Sequence, residues 1–280
     1  MSEALISDLP KGASVTLQVH AGIARLTLNR PTSSNAIDLE FARAFRHVVA
    51  ALSERDDVRA VVLSGRGKTF CVGGDLKSFA AEGPNAPAYV QTIIENFHAG
   101  LLQLVNMPAP VIAGVQGAAA GAGLGLALAA DIVIAADDAK FVMAYTNAGV
   151  TPDGGTTWIL PRLIGLHRAL DLTLRNRVLT AQEAHQLGLV AELCPPAELG
   201  ARVNAIAESV ASGPTNAFAQ AKRLLRQSFH TDLHTQLDAE GQTVVASFAT
   251  ADGQEGARAF SERRAPAFHG GKKKKNEALP

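Results

Sequence analysis

Residues 108–136 read PAPVIAGVQGAAAGAGLGLALAADIVIAA. Two short runs rich in β-branched residues, 111–115 and 132–135, enclose a tract of glycine and alanine. No Asp, Glu, Lys or Arg occurs between Asn96 and Ala130. We therefore expect two buried strands with a central buried helix between them, built of small residues so that something else approaches its backbone closely.

The length of this uncharged tract also raises the question of a membrane span, because about 20 apolar residues cross a bilayer. Pro108 and Pro110 interrupt the tract, and Gln116 lies within it. Alanine and glycine also contribute far less transfer free energy than leucine or isoleucine. A core helix in a protein without membrane contact is the better interpretation.

The composition indicates an ordinary globular protein. The chain has 280 residues, of which 47% are hydrophobic, and this suits one large domain or a core with a smaller appendage. Lys and Arg number 26 and so do Asp and Glu, so no overall positive field attracts nucleic acid. Cys71 and Cys194 are too few and too far apart for a disulfide framework. The first residues lack the basic and apolar regions of a signal peptide, which predicts a cytoplasmic protein.

Strand and helix patterns divide the chain. Residues 15–28 predict a hairpin that turns at His20-Ala21-Gly22, residues 37–52 predict a helix capped by Ser34 or Asn35, and 81–87 predict a loop. After Pro195-Pro196 the patterns are almost entirely helical. We therefore predict an α/β core over 1–196, a helical region over 197–268 and a basic tail over 269–280.

A strand, a glycine turn and a helix start follow one another twice, at 61–76 and at 111–126. Two such units can place their glycine turns side by side, each with backbone N–H groups at the N-terminus of a helix. Such groups stabilise negative charge that develops on an oxygen atom. The repeat therefore predicts an anion-stabilising site between the two turns.

Five segments together resemble the crotonase superfamily, which comprises enoyl-CoA hydratases and isomerases. They are LNRPTSSNAI (28–37), TFCVGGDLK (69–77), the tract ending in AADIVIAA, AYTNAGVTPDGGTTWILPRLIG (144–165) and EGARAFSERRAPAF (255–268). Each segment alone is weak, but their order and spacing cover roughly residues 14–269. The resemblance implies a spiral of ββα turns with a helical C-terminal trimerisation region, in homotrimers that often pair into hexamers.

The resemblance also implies the substrate class and the central part of the site. Family members bind acyl-CoA thioesters, so coenzyme A is part of the substrate and no separate cofactor is expected. They hold the thioester carbonyl between two backbone N–H groups. Carried over by motif, the donors are Gly74 in CVGGD and Ala122 in AAGAGLG.

The same motifs place further residues along the substrate. Arg30 and Lys77 are candidates for the nucleotide phosphates, and Phe260 for the adenine site of a neighbouring subunit. The loop 80–88 and the helix 89–105 are expected to line the distal acyl pocket. The other predicted substrate-binding residues are Asn35, Ala36, Ile37, Asp75, Leu76, Gly121, Gly125, Tyr145 and Trp158.

This chain departs from the family pattern at both hydratase glutamates. Hydratases of the family use two glutamates to position and activate water. Counted back without gaps from Asp131 and from Pro152, these positions are Gly125 and Tyr145, and neither can act as a carboxylate base. Tyr145 is either a hydrogen-bond donor in the pocket or part of its wall. Ordinary water addition is therefore not expected.

One carboxylate remains near the expected place, because Asp153 follows Pro152 in TPDGGTTW. Members of the family that move double bonds carry their acid/base carboxylate at this point, and PDGGTTWILPR resembles the isomerases that act on epoxidised phenylacetyl-CoA. A single carboxylate suffices to take a proton from one carbon and return it to another. The sequence therefore favours a double-bond isomerase with Asp153 as its acid/base, although an aspartate after proline is also a common turn residue.

Other functions stay open or are disfavoured. A hydratase or another thioester-modifying enzyme of the family, and an acyl-CoA-binding protein without catalysis, remain alternatives. The histidines and cysteines lack metal-ligand spacing, so no metal site is expected. Residues 121–125 do not match the GxGxxG dinucleotide fingerprint, which disfavours a nicotinamide site.

Overall fold

The computed structural model describes Ala4–Leu5 and residues 12–270, in which ten strands and eleven α-helices follow one another. The strands are β1 Ala4–Leu5, β2 Val15–His20, β3 Ile23–Leu28, β4 Ala60–Gly65, β5 Val111–Val115, β6 Ala118–Ala120, β7 Ile132–Ala136, β8 Lys140–Val142, β9 Leu179–Thr180 and β10 Glu192–Cys194. The helices are α1 Leu39–Ser53, α2 Leu76–Ala81, α3 Ala86–Val105, α4 Ala122–Leu128, α5 Thr156–Ile164, α6 Leu166–Arg175, α7 Ala181–Gln186, α8 Leu199–Ala211, α9 Thr215–Gln227, α10 Leu233–Phe248 and α11 Ala251–Ser261. The predicted basic tail lies outside the described residues from position 271 onward.

The strands form a seven-stranded and a three-stranded sheet. The larger sheet has the order β1-β2-β3-β4-β5-β7-β10, and the smaller has the order β6-β8-β9. β2 and β3 form the predicted antiparallel hairpin, whereas β3, β4, β5, β7 and β10 of the larger sheet run parallel. Parallel strands need crossover connections, and the segments between them supply the helices that cover the sheet.

The uncharged tract forms the centre of this arrangement, as predicted. All five residues of β5 and all seven residues of α4 are buried. On one side of β5, the Val203 side chain of α8 comes within 3.0 Å of the point where a β-carbon at Gly114 would stand. The small residue at position 114 therefore lets helix α8 approach this strand closely.

Two local predictions at the site are wrong. Helix α1 begins at Leu39, and Asp38 is its cap, because the Asp38 side chain accepts a hydrogen bond from the Phe41 N–H. Residues 81–87 are not a continuous loop, since a 3-10 turn spans Gly83–Asn85 and α3 already begins at Ala86. Proline is tolerated in the first turn of a helix, where its missing N–H has no partner to lose.

The C-terminal helices divide into a packed and an exposed group. The buried face of α8 consists of Leu199, Val203, Ala207 and Ala211, which belong to the main hydrophobic core. Large apolar side chains of the later helices remain exposed instead, among them Leu225, Val245 and Phe248. The first helix beyond residue 196 thus packs on the sheet with the rest of the core. The domain boundary at residue 196 stays a prediction.

Helix α9 is fastened to the core by charged groups. The Asp131 carboxylate lies 2.6 Å from the Lys222 Nζ atom and 2.9 Å from an Arg226 guanidinium nitrogen. It also accepts the Val111 N–H at 2.8 Å, at the start of β5.

Within the described ranges, none of the helices is both long and apolar enough to cross a bilayer.

Candidate active site

The two glycine turns lie against each other, as the sequence repeat predicts. Cys71 and Ala119 form a parallel bridge, in which the Ala120 N–H donates to the Cys71 carbonyl at 3.0 Å. A β-carbon at Gly73 would stand 2.8 Å from the Ala120 carbonyl oxygen and 3.1 Å from the Ala122 nitrogen. Gly73 also has a φ of +86°, so both its backbone conformation and its surroundings require glycine.

Backbone donors are available at this junction. Gly73 donates its N–H to the Cys71 sulfur, and Asp75 donates its N–H to the Ile37 carbonyl. Among the hydrogen bonds of the described residues, none has the N–H of Gly74 or of Ala122 as its donor. Ala122 is the first residue of α4, where a helical N–H has no partner within the helix. Both groups are therefore free to donate to an oxygen atom of a ligand.

Asn35 supports the first glycine turn from inside the protein. Its side chain is fully buried and donates to the carbonyls of Thr69 at 2.8 Å and Phe70 at 2.9 Å. Its Oδ1 atom accepts the Arg30 N–H at 2.8 Å. The Asn35 side chain therefore has no surface left for contact with a ligand, and it acts by holding the loop.

Ile37 and its neighbours join this loop to the turn. The Ile37 N–H donates to the Gly73 carbonyl at 2.8 Å, next to the predicted donor Gly74. The Arg30 guanidinium donates to the Ala36 carbonyl and pairs with Asp38 at 2.7 Å and with Asp75 at 3.5 Å. A guanidinium that is balanced by two carboxylates is less attractive to a phosphate than a free cation.

Residues on α2 present a different environment. Leu76 and Lys77 are exposed in its first turn, and Lys77 takes part in no ion pair among the described residues. Of the two predicted phosphate ligands, Lys77 therefore has the freer charge. Behind the turn, a β-carbon at Gly74 would stand 2.9 Å from the Phe79 ring.

Asp153 is held by hydroxyl groups. The Tyr145 hydroxyl donates to Asp153 Oδ1 at 2.6 Å, and the Thr156 hydroxyl donates to the Asp153 carbonyl at 2.8 Å. Burial, followed by the negative charge of Asp153, raises the pKa of Tyr145 well above its usual value. Tyr145 therefore remains a phenol that donates to the carboxylate, in agreement with one of its two predicted roles.

His98 completes the surroundings of Asp153, and the sequence did not single it out. Its Nε2 atom lies 3.6 Å from Asp153 Oδ2 and accepts the Gly154 N–H at 3.2 Å. His98 lies on α3, in the helix predicted to line the distal pocket, and that placement is the only signal the sequence offered. His98 and Asp153 are 55 positions apart in the chain, so no local sequence pattern indicates their contact.

The Asp153 loop packs directly on the second glycine turn. A β-carbon at Gly154 would stand 3.5 Å from the Ala122 Cα atom, and one at Gly121 would stand 3.7 Å from the Tyr145 ring. A β-carbon at Gly125 would stand only 2.3 Å from the Gly154 carbonyl oxygen. The structure thus brings Gly121, Ala122 and Gly125 together with Tyr145 and Asp153.

Two other predicted residues have different surroundings. The Trp158 ring packs against Arg162, whose Cζ atom is 4.0 Å from the ring centroid, and against Phe229 and His230. These residues line a cavity of about 1210 Å³ between α3, α5 and α9, which His98 and Gly155 border. Phe260 is 88% exposed on α11. Their roles in substrate binding stay predictions.

Known proteins resemble this chain over most of its length. Residues 18–272 match the family Enoyl-CoA hydratase/isomerase. The chain is 40% identical over 260 residues to a protein of Rhodobacter capsulatus named probable enoyl-CoA hydratase. The aligned residues make up 92% of this chain and 98% of that protein. It is 37% identical over 254 residues to the 1,2-epoxyphenylacetyl-CoA isomerase of Escherichia coli, covering 90% of this chain and 97% of that one.

A solved structure has the same fold. The enoyl-CoA hydratase of Polaromonas sp. JS666 superposes with a TM-score of 0.87 at 34% identity, over 91% of this chain and 99% of that one. This likeness confirms the predicted crotonase fold, with its mixed α/β core and helical C-terminal region. The family match, the relatives and the fold agree, and this chain belongs to the enoyl-CoA hydratase/isomerase family.

Proposed function

We propose that this protein is an acyl-CoA-dependent isomerase that moves a carbon–carbon double bond relative to the thioester. Asp153 is its acid/base, and the N–H groups of Gly74 and Ala122 bind the thioester oxygen. The 1,2-epoxyphenylacetyl-CoA isomerase of Escherichia coli supports the proposal as a relative that is 37% identical over 90% of this chain and 97% of its own length.

The reaction needs one group that moves a proton. With a 3-enoyl-CoA, the Asp153 carboxylate takes a proton from C2, and the electrons of the broken C–H bond form a dienolate with its negative charge on the thioester oxygen. The two N–H groups stabilise that charge, and each such donor contributes about 3 kcal/mol. The Asp153 carboxyl then gives a proton to C4, which leaves the double bond between C2 and C3. The reverse direction uses the same groups.

The close contact between Gly125 and Gly154 carries this proposal. A hydratase of the family needs a glutamate at position 125, but the Gly154 carbonyl fills the space that its side chain would enter. At the second glutamate position, the Tyr145 hydroxyl donates to Asp153 instead of accepting a proton. Asp153 is therefore the carboxylate that we assign as the proton shuttle, and the residue after it, Gly154, packs on Ala122.

Further parts of the proposal concern binding and assembly. Lys77 is proposed to bind the nucleotide phosphates, Trp158 to border the acyl pocket, and Phe260 to help close the adenine site of a neighbouring subunit. The exposed apolar side chains on α9 and α10, such as Leu225 and Val245, support assembly into a homotrimer or hexamer, because large apolar patches are usually covered.

The decisive experiment replaces Asp153 by Asn. Conversion of a panel of 3-enoyl-CoA esters to 2-enoyl-CoA is followed by the absorbance of the conjugated thioester, and deuterium uptake at C2 and C4 by mass spectrometry. D153N should lower both by roughly 10²- to 10⁴-fold, the usual contribution of a general base. The control is D138N, at an exposed aspartate outside the site. Undiminished exchange in D153N rejects the proposal.

A hydratase is the second candidate, because the Rhodobacter capsulatus relative carries that name. The wild-type protein is incubated with 2-enoyl-CoA esters, and 3-hydroxyacyl-CoA is measured by mass spectrometry. Water addition faster than double-bond migration favours the hydratase. Tight binding of the esters without either reaction favours a protein that binds acyl-CoA without turnover.

A further inference from the structure

The His98 Nε2 atom faces two groups of the Asp153 loop at once. It accepts the N–H of Gly154 at 3.2 Å, and it lies 3.6 Å from Asp153 Oδ2. The first distance is that of a hydrogen bond, whereas the second is longer than one. In this arrangement His98 therefore binds the backbone of the loop and not its carboxylate.

This geometry determines the protonation state of the ring. A ring nitrogen accepts a hydrogen bond only through its lone pair, so the Nε2 atom carries no hydrogen and a neutral ring carries its hydrogen on Nδ1. A protonated His98 has hydrogens on both nitrogens and cannot accept the Gly154 N–H. The contact seen here thus belongs to the neutral imidazole.

The two oxygens of Asp153 are not equivalent. Oδ1 accepts the Tyr145 hydroxyl at 2.6 Å. Oδ2 faces His98 without a hydrogen bond, so it has lone pairs available for a substrate proton. Protonation of His98 would turn its Nε2 atom into a donor within reach of this oxygen. The carboxylate would then be ion-paired, and Oδ2 would no longer be free for a substrate proton.

We propose that His98 is a positioning residue that works as a proton-controlled latch on the Asp153 loop. The neutral ring holds the Gly154 peptide and leaves Oδ2 free, whereas the protonated ring releases Gly154 and pairs with Oδ2. Imidazole is the side chain suited to such a change, because a ring nitrogen accepts a hydrogen bond in the neutral form and donates one in the protonated form. The proposal rests on the acid/base role of Asp153 proposed above.

The position of Gly154 explains why this contact matters for more than one group. The Gly154 residue packs on Ala122, its carbonyl faces Gly125, and its φ of +59° favours glycine. A shift of this peptide therefore moves Asp153 relative to the free N–H of Ala122. Loss of the His98 hydrogen bond should affect the turnover step more than the binding of coenzyme A.

Other charged groups around His98 are engaged elsewhere. On its own helix, Glu95 accepts a hydrogen bond from Gln91, and towards α1 the Arg46 guanidinium binds Asn96. The ionisable groups that share the cavity with His98 are Asp131, Arg162, Lys222, Arg223, Arg226 and His230. Asp131 pairs with two of these cations. Among the described residues, Asp153 is the carboxylate within ion-pair distance of His98.

The first test is the pH profile of kcat/KM for H98Q. The glutamine amide oxygen can accept the Gly154 N–H but does not become charged. H98Q should therefore retain kcat/KM within about threefold at pH 8. The acid limb, in which kcat/KM falls as the pH is lowered, should lose the part that protonation of His98 causes. H98A should lower kcat about three- to tenfold with little change in KM, as expected for one lost neutral hydrogen bond. The matched control is H234Q, because His234 also faces an aspartate, at 3.5 Å, but is exposed. An acid limb that is the same in H98Q and the wild type overturns the proposal.

The second test needs no turnover and so separates this inference from the proposed function. Long-range ¹H–¹⁵N spectra should give His98 as the Nδ1–H tautomer at pH 8, and the Gly154 amide signal should move on acidification in the wild type but not in H98Q. A hydrogen on Nε2 at pH 8, or a Gly154 signal that ignores pH, overturns the latch. Full isomerase activity in D153N instead rejects the acid/base role of Asp153. The two spectral results then still decide whether His98 binds the Gly154 N–H and releases it on protonation.

Discussion

The carbonyl oxygen of Gly154 occupies the space into which a side chain at Gly125 would project, since a β-carbon there would stand 2.3 Å from it. Contacts this short do not occur in packed interiors, so any side chain at position 125 must displace the Asp153 loop. The same loop delivers the proposed acid/base of an isomerase. One backbone contact thus links the missing hydratase glutamate to the carboxylate that remains.

Replacing Gly125 by Ala should lower both stability and isomerase activity. Overpacking of this kind costs about 1–3 kcal/mol, and the displaced loop carries Asp153 away from Ala122. Urea denaturation and the 3-enoyl-CoA assay measure the two effects. G200A is the control, because a β-carbon at Gly200 has nothing within 4 Å. G125E should gain no hydratase activity, and a G125A protein as stable and active as the wild type would contradict this account.

The glycine turns also give a test of the backbone donors. In G73A the new methyl group would press on the Ala120 carbonyl oxygen at 2.8 Å and on the Ala122 nitrogen at 3.1 Å. Turnover should fall about 10²- to 10³-fold if the Ala122 N–H is a donor to the substrate oxygen. G12A has the same kind of backbone strain, with a φ of +89° and no contact within 4 Å among the described residues. Equal activities of G73A and G12A would argue against Ala122 as a donor.

The sequence predicted those parts of the candidate site whose arrangement follows from a short local motif. The strand–turn repeat led to the contact between Gly73 and Ala122, and the uncharged tract led to buried α4. It failed where the geometry depends on distant packing. Asn35 is of a residue type that commonly caps helices. Its side chain instead donates hydrogen bonds to the carbonyls of Thr69 and Phe70, more than 30 residues away along the chain. The helix therefore starts later, with Asp38 as its cap.

His98 is the clearest example of information that lies outside local patterns. Its partner Gly154 belongs to another element, and only the packing of α3 beside the Asp153 loop brings the two together. Periodicity places His98 on a helix but does not say what the histidine faces. The predicted loop at 81–87 failed for a different reason, because Pro87 lies in the first turn of α3, where proline fits a helix.

The ionisation of Tyr145 should report the charge of Asp153. Burial and then the Asp153 carboxylate raise the pKa of Tyr145, so D153N should lower it but leave it above its usual value. The chain has two tyrosines, and the Y145F spectrum therefore gives the contribution of Tyr89 alone. Alkaline titration of phenolate absorbance, with Y145F subtracted, measures the difference. Identical Tyr145 titrations in the wild type and D153N would mean that the carboxylate does not act on the phenol.

The same shift has a defined effect on stability. The folded pKa of Tyr145 lies above the value of about 10 for an unfolded tyrosine, so its contribution to stability is fully present below pH 10. It is lost progressively as the pH rises from there towards the folded pKa. The free energy of unfolding should therefore fall more steeply above pH 10 in the wild type than in Y145F, and parallel curves would contradict this expectation.

Removal of the Asp131 charge should loosen the C-terminal region. D131N leaves Lys222 and Arg226 without their carboxylate, and the Lys222 side chain is only 13% exposed. Breaking such a largely buried pair should lower the free energy of unfolding by about 3 kcal/mol and increase hydrogen exchange over residues 215–227 more than over α1. D238N is the control, because Asp238 pairs with His234 on the surface, where a substitution changes stability by less than about 0.5 kcal/mol. If D131N and D238N unfold alike, α9 is held by its apolar contacts and the charges contribute little.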